Sequence, residues 1–559
     1  MKTRVAACCL TLLLAVVGSA SGVTRHVPSE YPTIQGAVNS AVYGDVIEIA
    51  AGTFDDVTHM ADPPDDSTLC VAVIKTSGLT FRGAGMGMTF VDGDSTGRGF
   101  YLQDVEDIVI EDITFTRAFA ETYGAGIMCV GSSPRISRVE VTGNYDGGIT
   151  LSSGSSPVIE YCVMSGNEAK AGGGIDIHAG CEPHIVECDI LDNRAPFAAG
   201  MQILGSPKLV HCRIDGNETV GAANTEGGGI LIKDGAAPVF TYCSITNNVC
   251  YGDGAGVSVD GAMPEFYSCQ IIGNYSTGDE GRGGGFYMGS ESTVIMEFCL
   301  LADNYTTMDA WYSDGGGMWV NKSNLEMRHC TLWGNWSGGE RPDYGNIGNL
   351  GIATSMFIPA TIEISHCLVG GSSRGAGVVC SGSGEEPMID CCNVFGNEGG
   401  NDVCGVGADN FSLDPLLCDV PTDNYRLQAS SPCAGGGHPS GPETCDGMVI
   451  GSYGRGCSVD VEEPEFPVSA MLLSNQPNPF DRATTISFHL SGSAAVSLEV
   501  LDVAGRRVAT LHNGMLPAGP HQIVWDGTTD GGQPVGSGVY FSQLRTGDQV
   551  HGRRMLHLQ

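Results

Sequence analysis

A short motif, Pro-x4-Cys-x4-Asn, recurs along the middle of the chain and restricts its fold more than any other feature. Glycine-rich segments of the form Gly-Gly-Gly-apolar lie between the copies. A constant core with spacers of varying length is typical of a solenoid, in which each repeat forms one coil that stacks on the next. The cysteines of the complete copies are Cys162, Cys188, Cys212, Cys243, Cys269 and Cys392.

Each coil is predicted to consist of strands, because apolar residues alternate with polar ones and no 3.6-residue period is present. After Gly229, the sequence Ile-Leu-Ile predicts that Ile230 and Ile232 point inward and that Leu231 points outward. Glycine, at 82 of 559 residues, suits the tight corners of such coils. The repeat therefore predicts an all-β protein built on a right-handed parallel β-helix solenoid.

The amino-terminal sequence resembles the start of the pectin-lyase-like β-helix superfamily, through Tyr31-Pro-Thr-Ile-Gln-Gly-Ala-Val and Gly44-Asp-Val-Ile-Glu-Ile. The resemblance covers roughly residues 24–457 and implies a helix that caps the open end of the coil stack. The residues support this expectation independently, because apolar side chains spaced at i, i+3, i+4 and i+7 form one face of a helix. These side chains are Ile34, Ala37, Val38 and Ala41.

The chain is predicted to contain four segments. Residues 1–22 are predicted to be a secretory signal peptide, with basic Lys2 and Arg4 before an apolar run and a small-residue cleavage site. Residues 23–460 form the β-helix with a disulfide-rich exit segment, residues 461–470 a linker, and residues 471–559 an immunoglobulin-like sandwich. No other run reaches the roughly 18 apolar residues of a transmembrane helix, so we expect no membrane-spanning segment.

The last module contains Asn475-Gln-Pro-Asn-Pro-Phe, Trp525-Asp-Gly and a basic ending at Arg553-Arg554. These motifs resemble both the carboxy-terminal sorting domains of type IX secretion substrates and the immunoglobulin-like domain of flagellar hook-capping proteins. The sorting resemblance implies a bacterial protein that is secreted or displayed on the outer membrane, with the secretion machinery as the partner of residues 471–559. The alternative is a simple sandwich cap with Trp525 in its core.

The cysteines fall into two groups with different predicted roles. Stacked Cβ atoms of neighbouring coils would lie about 4.8 Å apart, outside the disulfide range of about 3.5–4.5 Å, so the repeated cysteines are predicted to be buried free thiols. The repeated asparagines are predicted to form a hydrogen-bonded ladder. Cysteines beyond the last coil, in a loop-rich segment, are disulfide candidates: Cys404, Cys418, Cys433, Cys445 and Cys457.

Charge limits the possible partners. At a formal net charge of −37 the chain repels phosphate backbones, so we expect no nucleic-acid binding. The superfamily that the chain resembles includes polysaccharide lyases and hydrolases, which use carboxylate pairs or Ca²⁺ beside a base. The outward strand positions show no carboxylate pair on neighbouring coils, so no catalytic residue, metal site or cofactor is predicted, although Ca²⁺ is possible.

An aromatic-rich region is the candidate binding site. Tyr287, Trp311, Trp319 and Trp336 are predicted to bind carbohydrate, with Trp319 pointing outward beside Tyr287 of the preceding coil. The alternative is that long spacers fold back and bury these rings in a local apolar core. We therefore expect a secreted or surface β-helix protein with a structural or polysaccharide-binding role, or alternatively a polysaccharide lyase or glycoside hydrolase with a divergent site.

Overall fold

The computed structural model describes residues 22–60, 68–121, 123–221, 225–278, 281–289, 291–307, 315–338, 346–358, 360–457, 470–476, 480, 482–490, 494–502, 506–516, 519–546 and 549–557. Apart from their last residues, the predicted signal peptide at 1–22 and the linker at 461–470 lie outside these ranges. In the described part of the chain, no helix is long and apolar enough to span a membrane.

One short helix, α1, spans Ile34–Ser40 and caps the amino-terminal end of the solenoid. Thr33 precedes it, and the Thr33 Oγ1 accepts a hydrogen bond of 3.0 Å from the Gly36 amide. The side chains of Ile34, Ala37 and Val38 form the buried face of α1. The predicted capping helix is confirmed, and Ala41 lies immediately after its end.

The solenoid contains a long parallel sheet, sheet A, to which most coils contribute two short strands, one on each side of the repeated cysteine position. These two columns of strands are called lanes. The strands Val109–Thr116 and Arg135–Thr142 run through both lanes. Before the cysteine lie Thr24–Val27, Val46–Ile49, Thr80–Arg82, Val158–Glu160, His184–Val186, Lys208–Val210, Val239–Thr241, Glu265–Tyr267, Thr293–Glu297, Asn324–Arg328, Ile362–Ser365 and Met388–Asp390. After it lie Gly52–Phe54, Thr89–Asp92, Val163–Ser165, Asp189–Leu191, Arg213–Asp215, Ser244–Thr246, Gln270–Ile272, Leu300–Ala302, Thr331–Trp333, Leu368–Gly370 and Asn393–Phe395.

Sheet B continues along the solenoid beside sheet A, and a shorter sheet, sheet C, is added in the six coils from Arg194 to Ser337. Sheet B follows the glycine-rich segments and is parallel apart from one antiparallel edge strand, His59–Met60. Its other strands are Leu69–Ile74, Gly97–Gln103, Ile127–Val130, Ile149–Ser152, Ile175–Ile177, Met201–Ile203, Ile230–Lys233, Val257–Asp260, Phe286–Met288, Met318–Asn321, Ile347–Thr354 and Ala376–Gly382. Sheet C, between sheets A and B, contains Arg194–Ala195, Glu218–Thr219, Val249–Cys250, Tyr275–Ser276, Tyr305–Thr306 and Trp336–Ser337.

The interior consists of stacked apolar side chains, as the alternation predicts. Ile230 and Ile232 are fully buried. Phe240 and Phe266 stack with ring centroids 4.6 Å apart and planes within 2°. One core therefore extends along the solenoid from α1 to the last coils.

Two polar ladders run through this interior. Asn217 Nδ2 donates to Asn248 Oδ1 at 2.9 Å, and Asn248 Nδ2 donates to Asn274 Oδ1 at the same distance. The asparagine ladder is confirmed. The repeated cysteines are buried free thiols, as predicted: Cys162, Cys188, Cys212, Cys243, Cys269, Cys299, Cys330, Cys367 and Cys392.

The exit segment that follows the last coil folds back onto the outer face of sheet A. It contains an antiparallel pair, Leu417–Asp419 with Asn424–Leu427, and two short 3-10 turns at Val420–Thr422 and Thr444–Gly447. Its Val449 carbonyl oxygen lies 2.8 Å from His329 Nδ1. The exit segment thus covers part of the solenoid surface.

Disulfides fix this segment, with one correction to the prediction. The bonds join Cys380 to Cys404, Cys391 to Cys445 and Cys418 to Cys457. Four of the five candidates are therefore confirmed. The prediction for Cys433 is wrong: it is a buried free thiol that packs with apolar side chains and accepts a hydrogen bond from Asn393 Nδ2 at 3.0 Å.

The carboxy-terminal module is a β-sandwich. One antiparallel sheet contains Ala470–Gln476, Thr484–Leu490 and Gly519–Trp525, and the other contains Ala494–Asp502, Arg507–Leu516, Gly538–Thr546 and Gln549–His557. Trp525 is buried in the core, and its Nε1 donates to the Thr528 carbonyl oxygen at 2.9 Å.

Candidate functional site

The outer face of sheet B carries a row of side chains at paired positions on successive coils: Asp176, Gln202, Leu231, Ser258, Tyr287 and Trp319. Backbone pairing places Tyr287 beside Trp319, as the sequence predicts. The turn before the strand bends over this row through a residue with positive φ, which is Ala198 (φ 53°) before Met201–Ile203 and a glycine in the other coils of the row, for example Gly172 (φ 61°) and Gly315 (φ 62°). A Cβ on Gly172 would come within 2.7 Å of the Asp176 Cβ, and one on Gly315 within 3.1 Å of the Trp319 Cβ. The outward row is therefore sheltered by the turns of its own coils.

Tyr287 and Trp319 are buried within this row, with exposed fractions of 8% and 6%. They pack with Ile347 in a small apolar cluster. The guanidinium of Arg282 lies 5.1 Å from the centre of the Tyr287 ring and is paired with Asp253 at 2.8 Å. The expectation that these two rings offer open faces to a sugar is therefore wrong, because the turns and Arg282 cover them. For Tyr287 and Trp319 the structure shows a local apolar core, whereas the long spacers of the alternative lie outside the described residues.

Trp336 lies on sheet C, in an aromatic stack with Tyr305 and Tyr275. The ring centroids are 4.6 and 4.8 Å apart, and the planes are within 3° and 2° of parallel. Each ring covers the face of its neighbour, so a sugar would meet ring edges along most of this stack. Trp311 lies outside the described residues. Carbohydrate binding at Trp336 and Trp311 stays a prediction.

A carboxylate and an imidazole form a pair on the same outer face, towards the amino-terminal half of the solenoid. His178 Nε2 lies 3.0 Å from Asp176 Oδ2. Because a carboxylate only accepts, Nε2 carries the proton of the neutral ring and Nδ1 is the acceptor nitrogen. The side chain of Asp176 is 3% exposed and that of His178 is 31% exposed. The hydrogen bond that His178 donates to Asp176 raises the pKa of His178, although burial acts in the opposite direction.

The second carboxylate oxygen of Asp176 distinguishes this pair from an ordinary surface ion pair. Asp176 Oδ1 is buried and, within the described residues, has no hydrogen-bond partner. Leaving a buried acceptor unsatisfied costs about 1–3 kcal/mol. The pair thus contains a buried acceptor oxygen that the described residues leave without a donor.

Tyr123 stands beside this pair, on the turn of an earlier coil. Its ring meets the imidazole of His178 edge-on, with centroids 5.6 Å apart and planes at 87°. Buried Arg98 holds the turn in place by donating to the carbonyl oxygens of Tyr123 and Gly124, at 2.8 and 3.1 Å. An exposed tyrosine is therefore fixed at the edge of the Asp176–His178 pair.

Three more exposed aromatic side chains lie on the turns that lead into sheet B in this region. Phe119 and Tyr145 occupy paired positions on successive coils, and Phe197 lies on the same turn two coils further on. Phe119, Tyr123, Tyr145 and Phe197 are together called the aromatic rim. Unlike Tyr287 and Trp319, these residues lie on the turns themselves and are not covered by them.

Charged groups border the aromatic rim. Lys170 Nζ donates to the carbonyl oxygen of Glu121 at 2.7 Å and lies 3.9 Å from Asp146 Oδ1. Burial raises the pKa of Asp146, while the positive charges of Lys170 and Arg98 partly oppose this effect. Lysine and carboxylate groups therefore lie within the same surface as the exposed rings.

Acidic clusters elsewhere in the described part of the chain are neutralised by arginine. Arg117 binds Asp92 at 2.6 Å and approaches Asp94 to 3.7 Å. Arg138 binds Asp112 at 2.8 Å. No group of three or more His, Cys, Asp or Glu side chains suited to a metal ion occurs among the described residues. A role for Ca²⁺ stays a prediction.

The sequence-based prediction missed His178 and Tyr123. A signal for His178 was present, since strand alternation places Asp176 and His178, two residues apart, on the same face. For Tyr123 no comparable signal exists, because it reaches the pair from a different coil along a turn whose path depends on Arg98. The carbohydrate prediction accordingly selected the region richest in tryptophan rather than the exposed phenylalanine and tyrosine side chains of the aromatic rim.

Family profiles match both parts of the chain. The family described as right handed beta helix region matches residues 75–234 and 227–412, and the FlgD Ig-like domain matches residues 474–547. The predicted solenoid and the predicted immunoglobulin-like domain are thus confirmed. No curated protein matched the chain.

Several solved structures are similar at low identity. Pectate lyase Pel9A is 13% identical, with 76% of this chain and 91% of that chain covered and a TM-score of 0.33. The A-module of mannuronan C-5 epimerase AlgE4 from Azotobacter vinelandii is 15% identical, with 55% and 92% covered and a TM-score of 0.31. Dimeric latent PorU from Porphyromonas gingivalis is 22% identical over 18% of this chain, with a TM-score of 0.15, and the match spans 10% of PorU.

Proposed function

Because the chain belongs to the right-handed β-helix family, we propose that it is an exported protein that binds polysaccharide at the aromatic rim and the Asp176–His178 pair. One observation carries the proposal: the exposed ring of Tyr123 contacts His178, the partly exposed imidazole that pairs with buried Asp176. Tyr123 provides a surface for a sugar ring, and the partly exposed imidazole of His178 provides a polar group for its hydroxyl groups.

The chemistry of a glycan suits this surface. The C–H faces of sugar rings pack on aromatic rings, and hydroxyl groups need a few well-placed acceptors and donors. The aromatic rim supplies the rings, while His178 and Lys170 supply polar groups. Because the rim residues are spread over the turns of several coils, a chain of several sugars fits the rim better than a single sugar.

The charge of the protein favours a neutral polysaccharide. A net charge of −37 repels polyanions at long range. Near the rim, the cations Lys170 and Arg98 are already engaged by backbone carbonyl groups. We therefore expect xylan or glucan to be retained better than alginate or polygalacturonate at low ionic strength.

Affinity electrophoresis of the mature protein in gels containing each polysaccharide, with and without Ca²⁺, tests the proposal. We expect Tyr123→Ala and Phe197→Ala to reduce retention, because each removes a stacking face. Phe357→Ala is the matched control, since Phe357 is also an exposed aromatic but lies in a distant turn. Equal retention of all variants would refute the site, and release of new reducing ends or unsaturated products would identify a hydrolase or lyase.

We further propose that residues 471–559 direct passage across the outer membrane and display on the cell surface. The support is the resemblance of this module to sorting domains, together with its match to the FlgD Ig-like domain. Deleting residues 471–559 is expected to leave a folded β-helix in the periplasm. Unchanged surface display of the deletion variant would refute this role and favour the sandwich as a simple cap.

A further inference from the structure

We propose that the Asp176–His178 pair hydrolyses acyl esters carried by the bound polysaccharide, with His178 as the general base. This inference rests on the proposed function, because the polysaccharide bound at the aromatic rim brings the ester to His178. It adds a reaction to a site that otherwise only retains a ligand.

The geometry assigns separate roles to the two side chains. Asp176 is covered, with a side chain 3% exposed, and Oδ2 accepts from His178 Nε2 at 3.0 Å. Asp176 is therefore a positioning residue that fixes the orientation and tautomer of the ring. The imidazole is the group that reaches a substrate, through the acceptor nitrogen Nδ1.

The exposure of the imidazole and the burial of the carboxylate point to acyl transfer. Cleavage of a glycosidic bond needs two carboxyl groups that reach the scissile bond from both sides, about 5–9.5 Å apart. Asp176 is covered, and its neighbours in the outward row are Thr150 and Gln202. Ester hydrolysis needs one base to activate water, a role that His178 can fill, and one donor for the oxyanion.

The reaction balances with water as the only co-reactant. His178 Nδ1 takes a proton from water while the water oxygen forms a bond to the acyl carbon, and the carbonyl oxygen becomes an oxyanion. The bond from the acyl carbon to the sugar oxygen then breaks, and the imidazolium returns its proton to that oxygen. The products are a carboxylic acid and a free sugar hydroxyl group. Gln202, paired with Asp176 across neighbouring strands, is the side-chain amide that would donate to the oxyanion.

Tyr123 completes the arrangement on the side of the substrate. Its ring contacts the imidazole edge-on, so a sugar packed against Tyr123 would place its substituents beside His178. An acetyl group on a hydroxyl of that sugar would lie against the exposed part of the imidazole. The structure thus points to an O-acetylated neutral polysaccharide as the substrate class.

The test measures acetate release and polysaccharide retention on the same preparations of full mature protein, with O-acetylated xylan as the probe. We expect the wild-type protein to release acetate and His178→Ala to lose about 10²–10⁴-fold of the initial rate, the usual contribution of a general base. His211→Ala is the matched control, because His211 stacks on Tyr242 and has no part in the proposed site. Circular dichroism of each variant establishes that it is folded.

Asp176→Asn separates positioning from a purely structural role. The hydrogen bond that His178 donates to Asp176 raises the pKa of His178. Weakening this hydrogen bond is therefore expected to move the rising limb of the pH–rate profile to lower pH and to reduce kcat. A slower rate with an unshifted profile would refute the positioning role.

The outcomes distinguish the two proposals. Retention of xylan without acetate release, or acetate release that His178→Ala leaves unchanged, overturns the esterase inference and leaves binding intact. Hydrolysis of p-nitrophenyl acetate that depends on His178, without retention of xylan, supports the catalytic pair and refutes the proposed binding function. Release of new reducing ends in place of acetate assigns the site to glycosidic cleavage and overturns the inference.

Discussion

Two groups of aromatic side chains in the same solenoid differ in what they can contact. Tyr287 and Trp319 lie on strands of sheet B and are buried. Tyr123 and Tyr145 lie on turns that lead into earlier strands of the same sheet and are exposed. The residue types are similar, and so is their distance in sequence from the glycine runs. Position relative to the turn decides exposure in this solenoid, more than the richness of a segment in tryptophan does.

The physical cause is the path of the glycine turn. A left-handed glycine lets the chain bend back over the outward row, so that strand side chains are covered by backbone. A side chain on the turn itself has no such cover. Tyr287 and Trp319 therefore contribute to stability, whereas Tyr123 and Tyr145 are free to contact a ligand.

Trp319→Ala should have the largest effect on this comparison. Removing a buried aromatic side chain costs about 3–5 kcal/mol, and Trp319 packs with Tyr287 and Ile347. Because solenoid stability is local, hydrogen exchange should increase most in the neighbouring coils. Polysaccharide retention should be unchanged, and a loss of retention with unchanged exchange would reverse the roles given to the two groups.

Gly254→Ala should have the next largest effect, because it tests the turn as the cause of burial. Gly254 has φ 64°, and an added Cβ would lie 2.4 Å from the Val257 carbonyl oxygen. We expect a loss of about 2–4 kcal/mol from left-handed strain and overpacking together. Thermal unfolding of the variant measures this loss.

Gly261→Ala is the control for that experiment. Gly261 has nearly the same φ, 62°, but an added Cβ would meet nothing within 4 Å. Its cost should be about 1–2 kcal/mol, the strain alone. If both variants lose the same stability, close approach of the turn to the outward row is not what covers these side chains.

Much of this architecture was predictable from sequence, and the limits have physical reasons. The positions of Cys243, Asn248 and Ile230 follow from alternation and repetition, which are local properties of a strand. Cys433 was not predictable, because its environment depends on how the exit segment folds back onto the solenoid. The same reason applies to Tyr123, which meets His178 across coils.

Tyr145→Ala should have a small effect on folding and a clear effect on binding. An exposed side chain away from special backbone features changes stability by about 0.5 kcal/mol or less. Loss of one stacking face should weaken polysaccharide retention several-fold, since such contacts contribute about 0.5–1.5 kcal/mol. Parallel melting and retention measurements on Tyr145→Ala and Trp319→Ala should therefore show opposite patterns. A pair of variants that lose both properties together would contradict the division of roles.

The smallest expected effect is on the pH dependence of folding stability, which should differ in sign between the partly exposed His178 and the buried His329. Asp176 raises the pKa of His178, so its contribution to stability is complete below the unfolded pKa of about 6.5 and is lost as pH rises through the folded value. Burial beneath the exit segment lowers the pKa of His329. The contribution of His329 to folding stability is therefore complete above about pH 6.5 and is lost as pH falls through the folded value.

Replacing each histidine by glutamine tests these opposite signs, because glutamine can still donate a hydrogen bond but does not titrate in this range. Relative to the wild-type protein, His178→Gln should be least stable at low pH, where the protonated ring pairs with Asp176. His329→Gln should gain relative stability as pH falls, because no buried imidazole then resists protonation beneath the Val449 carbonyl. Melting temperatures between about pH 5 and pH 8 should give difference curves of opposite slope, and curves of the same slope would show that exposure does not distinguish the two sites.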